Sequence, residues 1–201
     1  MNALDTVLVL MLKTVGAVDR AGGAPTFAGL TMTQANSTQK AVTSPECGCE
    51  LWYLLNPRAG ANTASIPNTG TKTILYTIAT GRAATGKTSA FDGANGGNAT
   101  STNPTPGAVV TTVNGAIGFA ITAGGWTTWA PSAQVGTIIA NTDDGADGGG
   151  EQYLLQASLG TSTLSWTFAT SDDWGAVSAY FKEIDQNVVG RGRFYQPVLS
   201  Q

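Results

Sequence analysis

Apolar residues in this chain are spaced for strands, and helical spacing is weak throughout. Residues 6–15, TVLVLMLKTV, form a nearly unbroken apolar run that stops at Gly16, as a strand buried on both faces would. Residues 47–55, CGCELWYLL, read as a second strand, halted by Asn56 and Pro57. Residues 71–81, TKTILYTIATG, alternate: Ile74, Tyr76 and Ile78 share one face, and Thr73, Leu75 and Thr77 the other. Shorter strands are expected in PTFAGLTMTQAN, with Gly29 in its turn, and in KTSAFDGA. In TPGAVVTTVNGAIGFAIT the Asn114-Gly115 pair is a hairpin signal. EQYLLQASL, STLSWTFAT and WGAVSAYFKEI complete the set, while residues 95–107 and 141–150 read as loops.

Roughly nine strands at short spacing, punctuated by Gly, Pro, Asn and Asp, predict an all-β fold, a β-sandwich or jelly roll. A chain of 201 residues fits one such domain, here residues 1–184. Residues 185–201, DQNVVGRGRFYQPVLSQ, differ in character. Two arginines alternate with two glycines and a Phe-Tyr pair follows, more apolar than a free tail. This stretch is expected to be an extended C-terminal arm that docks on neighbouring subunits, with Arg191, Arg193, Phe194, Tyr195, Pro197 and Leu199 as its interface residues.

Charge narrows the functions. Charged residues make up only 11% of the chain, so its surface is mostly small, neutral and polar. The net charge of −3 comes without a basic cluster, which argues against nucleic-acid binding. Histidine is absent, so Ser-His-Asp and Cys-His mechanisms cannot be assembled from this chain. The apolar opening is shorter than the about 20 residues of a membrane-spanning helix. It also lacks the basic start and cleavage site of a signal peptide. No membrane association and no cofactor are expected.

Several motifs invite chemistry. Residues 81–88, GRAATGKT, fit the P-loop pattern, but the continuation holds glycines at 93, 96 and 97 and prolines at 104 and 106, where a phosphate-binding helix would have to begin. A hairpin turn is the plainer reading. Asp143, Asp144, Asp147 and Glu151 lie along a Gly-rich stretch that calcium would favour. Their spacing is not that of an EF-hand. Asp172-Asp173 reads as a turn. Glu46 and Glu50 flank the cysteine strand without an evident cleft. Cys47 and Cys49, two apart, share a face with Leu51, Tyr53 and Leu55. With no other Cys and no His there is no zinc site, and a disulfide would strain an extended strand. They read as small hydrophobes at the start of a core strand.

The order of these segments resembles a known family. CELWYLLNPRAG is similar to a strand and turn of small jelly-roll domains in bacteriophage structural proteins and related bacterial surface proteins. DTVLVLMLKTVG resembles their opening strand, KTSAFDGANGGNATSTNPTPG their Phe-x-Gly strand and Ser/Thr-rich loop, and TLSWTFATSDDWGAVSAYFKEI their closing strands. The resemblance implies an antiparallel jelly-roll sandwich without a shared catalytic site. Such domains serve as capsid decoration (cement) proteins or as modules of tail fibres. The family has a further strand before DTVLVLML that is not seen here, which would leave an open edge beside that strand.

The reading that follows is a non-enzymatic virion protein. It would decorate and stabilise the phage head, on the capsid exterior after assembly in the bacterial cytoplasm. Its partners would be the major capsid protein and copies of itself, a trimer being one arrangement. The alternative is a receptor- or carbohydrate-binding module of a tail fibre or adhesin, with Trp126 and Trp129 on its ligand surface and a host glycan as partner. A glycan-active enzyme is a third reading, with no carboxylate pair to carry it.

Overall fold

The computed structural model describes residues 7–15, 22–40, 47–68, 73–83, 90–124, 132–143 and 148–182. All sixteen elements among them are strands: β1 (Val7–Val15), β2 (Thr26–Phe27), β3 (Leu30–Thr31), β4 (Thr33–Lys40), β5 (Cys47–Leu55), β6 (Ala64–Ser65), β7 (Thr73–Gly81), β8 (Phe91–Ser101), β9 (Val109–Thr111), β10 (Ala116–Gly124), β11 (Ser132–Val135), β12 (Thr137–Asp143), β13 (Gly148–Gln156), β14 (Gly160–Ser162), β15 (Ser165–Thr167) and β16 (Asp172–Lys182). Two antiparallel sheets dominate, in the orders β4-β5-β1-β7 and β12-β13-β10-β16-β8. The all-β, antiparallel expectation is therefore met. Each large sheet, however, is drawn from one consecutive part of the chain. A jelly roll winds two Greek keys through both sheets, and that winding is not found among the described strands.

The core has three levels. Between the large sheets lie Val7, Val9, Met11, Cys47, Cys49, Leu51, Phe119, Ile121, Val177 and Phe181, with other apolar residues. Behind the first sheet, Leu8, Leu10, Leu12 and Trp52 pack with Phe27 and Met32, beneath the small β3-β2-β6 sheet. Behind the second, Ala116, Ala120, Trp174 and Tyr180 pack with Leu164, Trp166 and Phe168, under the β14-β9 and β11-β15 ladders. This double coverage explains the unbroken apolar runs: β1 and β10 are buried on both faces. Each such Leu, Val or Ile contributes roughly 1.5–3 kcal/mol through burial.

Four details differ from the sequence expectation. First, β1 is not beside an open edge; it is bonded to β5 on one side and β7 on the other. Second, residues 95–101 belong to β8, not to a loop. Glycine supplies the reason. A Cβ at Gly97 would stand 2.7 Å from the Thr105 carbonyl oxygen, and one at Gly93 would stand 3.0 Å from Val109 Cγ1. The glycines let the segment after β8 fold back onto its face, where Asn95 Nδ2 donates to the Ala108 carbonyl at 2.8 Å. Third, Asn114-Gly115 does not join a hairpin. β9 pairs with β14, whereas β10 pairs with β13 and β16. Fourth, residues 141–143 and 148–150 of the expected loop continue the β12–β13 pairing, and residues 144–147 lie outside the described residues. The turn at Gly29 is as expected: Ala28 and Gly29 have φ of 52° and 78°, as a two-residue hairpin requires.

Three of the four large-sheet edges are irregular. β4 has a bulge between Gln34 and Asn36, β12 between Ile138 and Ala140, and β8 opposite Tyr180 and Phe181. Only β7 pairs without interruption, over all nine residues.

Candidate functional site

The inter-sheet space changes character along its length. At one end the rings of Tyr53 and Phe91 stack with centroids 5.4 Å apart, and Tyr53 and Phe119 each meet Phe181 edge-on at 5.2 and 6.2 Å. The opposite end is polar. Lys13 and Glu151, both fully buried, project into it from β1 and β13. Alternation along the strands puts them there. Lys13 follows Met11 on the inward face of β1, and Glu151 precedes inward-facing Tyr153 on β13. The Lys13 chain lies over Gly149, whose missing Cβ would fall 2.9 Å from Lys13 Cδ and 3.1 Å from Nζ. Any side chain at 149 would displace the ammonium. Glu151 stands on the same face as Gly149, two residues on.

Cys49 completes the cluster as the cross-strand partner of Lys13. Its Sγ lies 3.2 Å from the Gly175 carbonyl oxygen, and Cys47 Sγ lies 3.9 Å from that of Asp173. Both thiols are free and buried. Burial, first of all, pushes the Cys49 thiol well above its ordinary pKa; Cys47 and Glu151 add to this, while Lys13 and a hydrogen bond from the Ala123 backbone oppose it. Nucleophilic or redox chemistry needs the thiolate, and this environment favours the thiol. The strand reading of Cys47 and Cys49 thus holds. Lys13 escaped notice because a single lysine near the end of an apolar run reads as a solvated strand end.

Four other acidic residues, Glu50, Asp92, Asp172 and Asp173, make structural contacts. Glu50 Oε2 accepts from Trp52 Nε1 at 2.7 Å on the outer face of the first sheet. Asp92 accepts from the Thr112 backbone N–H at 2.9 Å and pairs with Lys182 at 3.8 Å. Asp172 and Asp173 open β16 instead of forming a turn. Asp172 accepts from the Asp173 backbone N–H at 2.8 Å, and Asp173 accepts from Thr100 Oγ1. Residues 84–89 of the P-loop match lie outside the described residues; from Phe91 the chain runs as strand β8. Among the described residues no group of His, Cys, Asp or Glu is arranged to hold a metal ion.

Several sequence-derived candidates lie outside the described residues: Glu46, Asp144, Asp147, Trp126, Trp129 and the whole 185–201 segment with Arg191, Arg193, Phe194, Tyr195, Pro197 and Leu199. The strands leading toward Trp126 and the acidic stretch do share one rim, because Gly124 and Asp143 both pair with Gly148. At the opposite rim, large apolar side chains are exposed: Val110 at 65%, Leu159 at 61% and Leu155 at 46%. Val110 and Leu159 are carried by the β9–β14 ladder and its approach, and Leu159 N–H is fixed by Asn114 Oδ1 at 2.9 Å. No protein-family model, curated protein or solved structure matches the chain.

Proposed function

We propose that this chain is a non-enzymatic structural protein of a virion, a decoration subunit on the outside of a phage head. One observation carries the reading. The thiols and the buried charges Lys13 and Glu151 are enclosed in the sandwich, whereas Val110 on β9, Leu155 on β13 and Leu159 in the bend before β14 are held out to solvent. Exposed apolar groups of this kind mark surfaces for association. The work of such a subunit is area buried against its neighbours, and a surface with few charges suits a close-packed shell. Its partners on this reading are the major capsid protein and further copies of itself. The 185–201 arm belongs to the same proposal. The jelly-roll winding implied by the resemblance is not needed for it; a doubly covered antiparallel sandwich suffices.

Purified chain added to heads assembled without it tests the reading. Binding at many sites, with a higher rupture temperature for the heads, is expected. Heads that neither bind it nor gain stability would refute it. A second reading draws on the rim where β10, β12 and β13 end, as a receptor or glycan surface bearing Trp126 and Trp129. Glycan-array binding lost in Trp126→Ala or Trp129→Ala would favour that reading instead.

A further inference from the structure

We infer that residues 185–201 dock back on their own subunit and cover the apolar rim that carries Val110, Leu155 and Leu159. This deepens the virion reading and rests on it for one step, the withdrawal of the segment from this rim during assembly. Lys182, the last described residue of β16, pairs with Ala116, and Ala116 pairs in turn with Gln156. The chain beyond Lys182 therefore leaves two strand spacings, about 10 Å, from the strand end that bears Leu155. The root of the C-terminal segment and the exposed rim lie at the same end of one sheet.

The rim is preformed. Val110 is the cross-strand partner of Thr161, and Leu159 stands two residues before that threonine. Leu159 N–H donates to Asn114 Oδ1, and Gly115 N–H donates to the Ala157 carbonyl at 3.2 Å. The next residue is held by Thr111, whose Oγ1 accepts from the Gly160 N–H at 3.2 Å and donates to the Gly160 carbonyl at 3.1 Å. Gln156 Nε2 donates to the same two oxygens at 3.1 and 3.2 Å. An exposed leucine on so firmly bonded a bend needs little ordering when something docks on it. No charged residue occurs in 109–117 or 152–162, so the rim suits a neutral, apolar occupant.

Three segments outside the described residues leave from this end of the sandwich. Val7 pairs with Gly81, a Cβ at Gly81 would lie 2.9 Å from Ile117 Cδ1, and Ile117 pairs with Leu155 and Phe181. Residues 1–6, 84–89 and 183–201 therefore start here. MNALDT offers Met1 and Leu4, and ATGKTS offers no large apolar residue. Residues 185–201 offer Val188, Val189, Phe194, Tyr195, Val198 and Leu199. Val188 comes six residues after Lys182, an extended span of about 20 Å, so the whole rim is within reach. Attachment decides which copy is covered. A short tether gives the segment an effective concentration of about millimolar at its own rim, above that of other copies in dilute solution. Only crowding, as on a shell, lets it exchange onto a neighbour and leave the rim free for seating.

Paramagnetic broadening in the full 201-residue chain tests the docking. A nitroxide is attached at Ser200→Cys under native conditions, where Cys47 and Cys49 are buried. In isotope-labelled chain at micromolar concentration, the methyl signals of Val110, Leu155 and Leu159 should lose most of their intensity relative to the reduced label. The Ala123 methyl, at the far end of β10, should keep its intensity. Leu159→Ser changes an exposed position and should restore much of the signal at Val110 and Leu155. A mixture of isotope-labelled chain without nitroxide and unlabelled chain with it should show no loss. Heads that fail to bind the subunit would refute the virion reading and leave this docking standing. Full intensity at the rim overturns the docking, as does equal loss at Ala123 or loss that Leu159→Ser leaves unchanged. Loss reproduced in the mixture also overturns it, because the segment would then lie on a second copy.

Discussion

Replacing Lys13 with methionine should be among the most damaging single changes outside the aromatic core. The lysine is fully buried, and methionine can follow its path with similar volume and flexibility. What it removes is the positive charge. Glu151 then remains buried in the same space without it, beside a neutral Cys49 thiol. Where two enclosed charges compensate each other, removing one costs about 3–5 kcal/mol, a large fraction of the 5–15 kcal/mol typical of a domain. Glu151→Leu should cost a similar amount, because it strands the ammonium. The double variant removes both charges and both desolvation penalties. It should recover most of the loss, since apolar replacement of a buried pair is often neutral or stabilising. Urea unfolding followed by circular dichroism at pH 7 gives the four free energies of the cycle. Mutual compensation of the two charges is refuted if Lys13→Met costs less than about 1 kcal/mol, or if the double variant loses the sum of the two single losses.

Three further outcomes are expected. In the native protein both cysteines should resist a thiol reagent, reacting only as the sandwich opens, while the unfolded chain labels fully; rapid native labelling would contradict their burial. Stability should be flat with pH up to the pKa of an unfolded thiol, about 8.5. Above that the unfolded chain loses a proton that folded Cys49 keeps, so stability falls by about 1.4 kcal/mol per pH unit. Urea titrations between pH 7.5 and 10 measure the slope, and a Cys49→Ala slope as steep as wild type would remove its cause. Gly118→Val should cost about 1–3 kcal/mol, because a Cβ there would overlap the Tyr180 ring, lying 2.8 Å from Cδ1 and Cζ. That ring is anchored by a 2.8 Å hydrogen bond between its hydroxyl and Ser162 Oγ; an unchanged thermal midpoint would show that the ring moves freely.

The sequence revealed strands wherever side chains alone decide the matter. β1, β5 and β7 follow from apolar runs and alternation, and the facing of Cys47, Cys49, Leu51 and Tyr53 follows from period two. Strands decided by backbone proximity were not legible. β8 is mostly Gly, Asn and Ala, and it is a strand because β16 pairs with it and the 102–109 segment lies over its glycines. The Asn114-Gly115 turn was visible, but not that its two flanking strands part to different partners. Nor does a sequence reveal that two charges 138 positions apart, Lys13 and Glu151, share one enclosed space. That depends on which strands stack, and long-range pairing leaves no local mark.

The position of this chain on an intact particle tests the proposed role most directly. Density or specific labelling resolved on whole virions should place many copies across the head, each seated through the rim that carries Val110, Leu155 and Leu159. A few copies confined to the tail tip, or none on the particle, would contradict a decoration role.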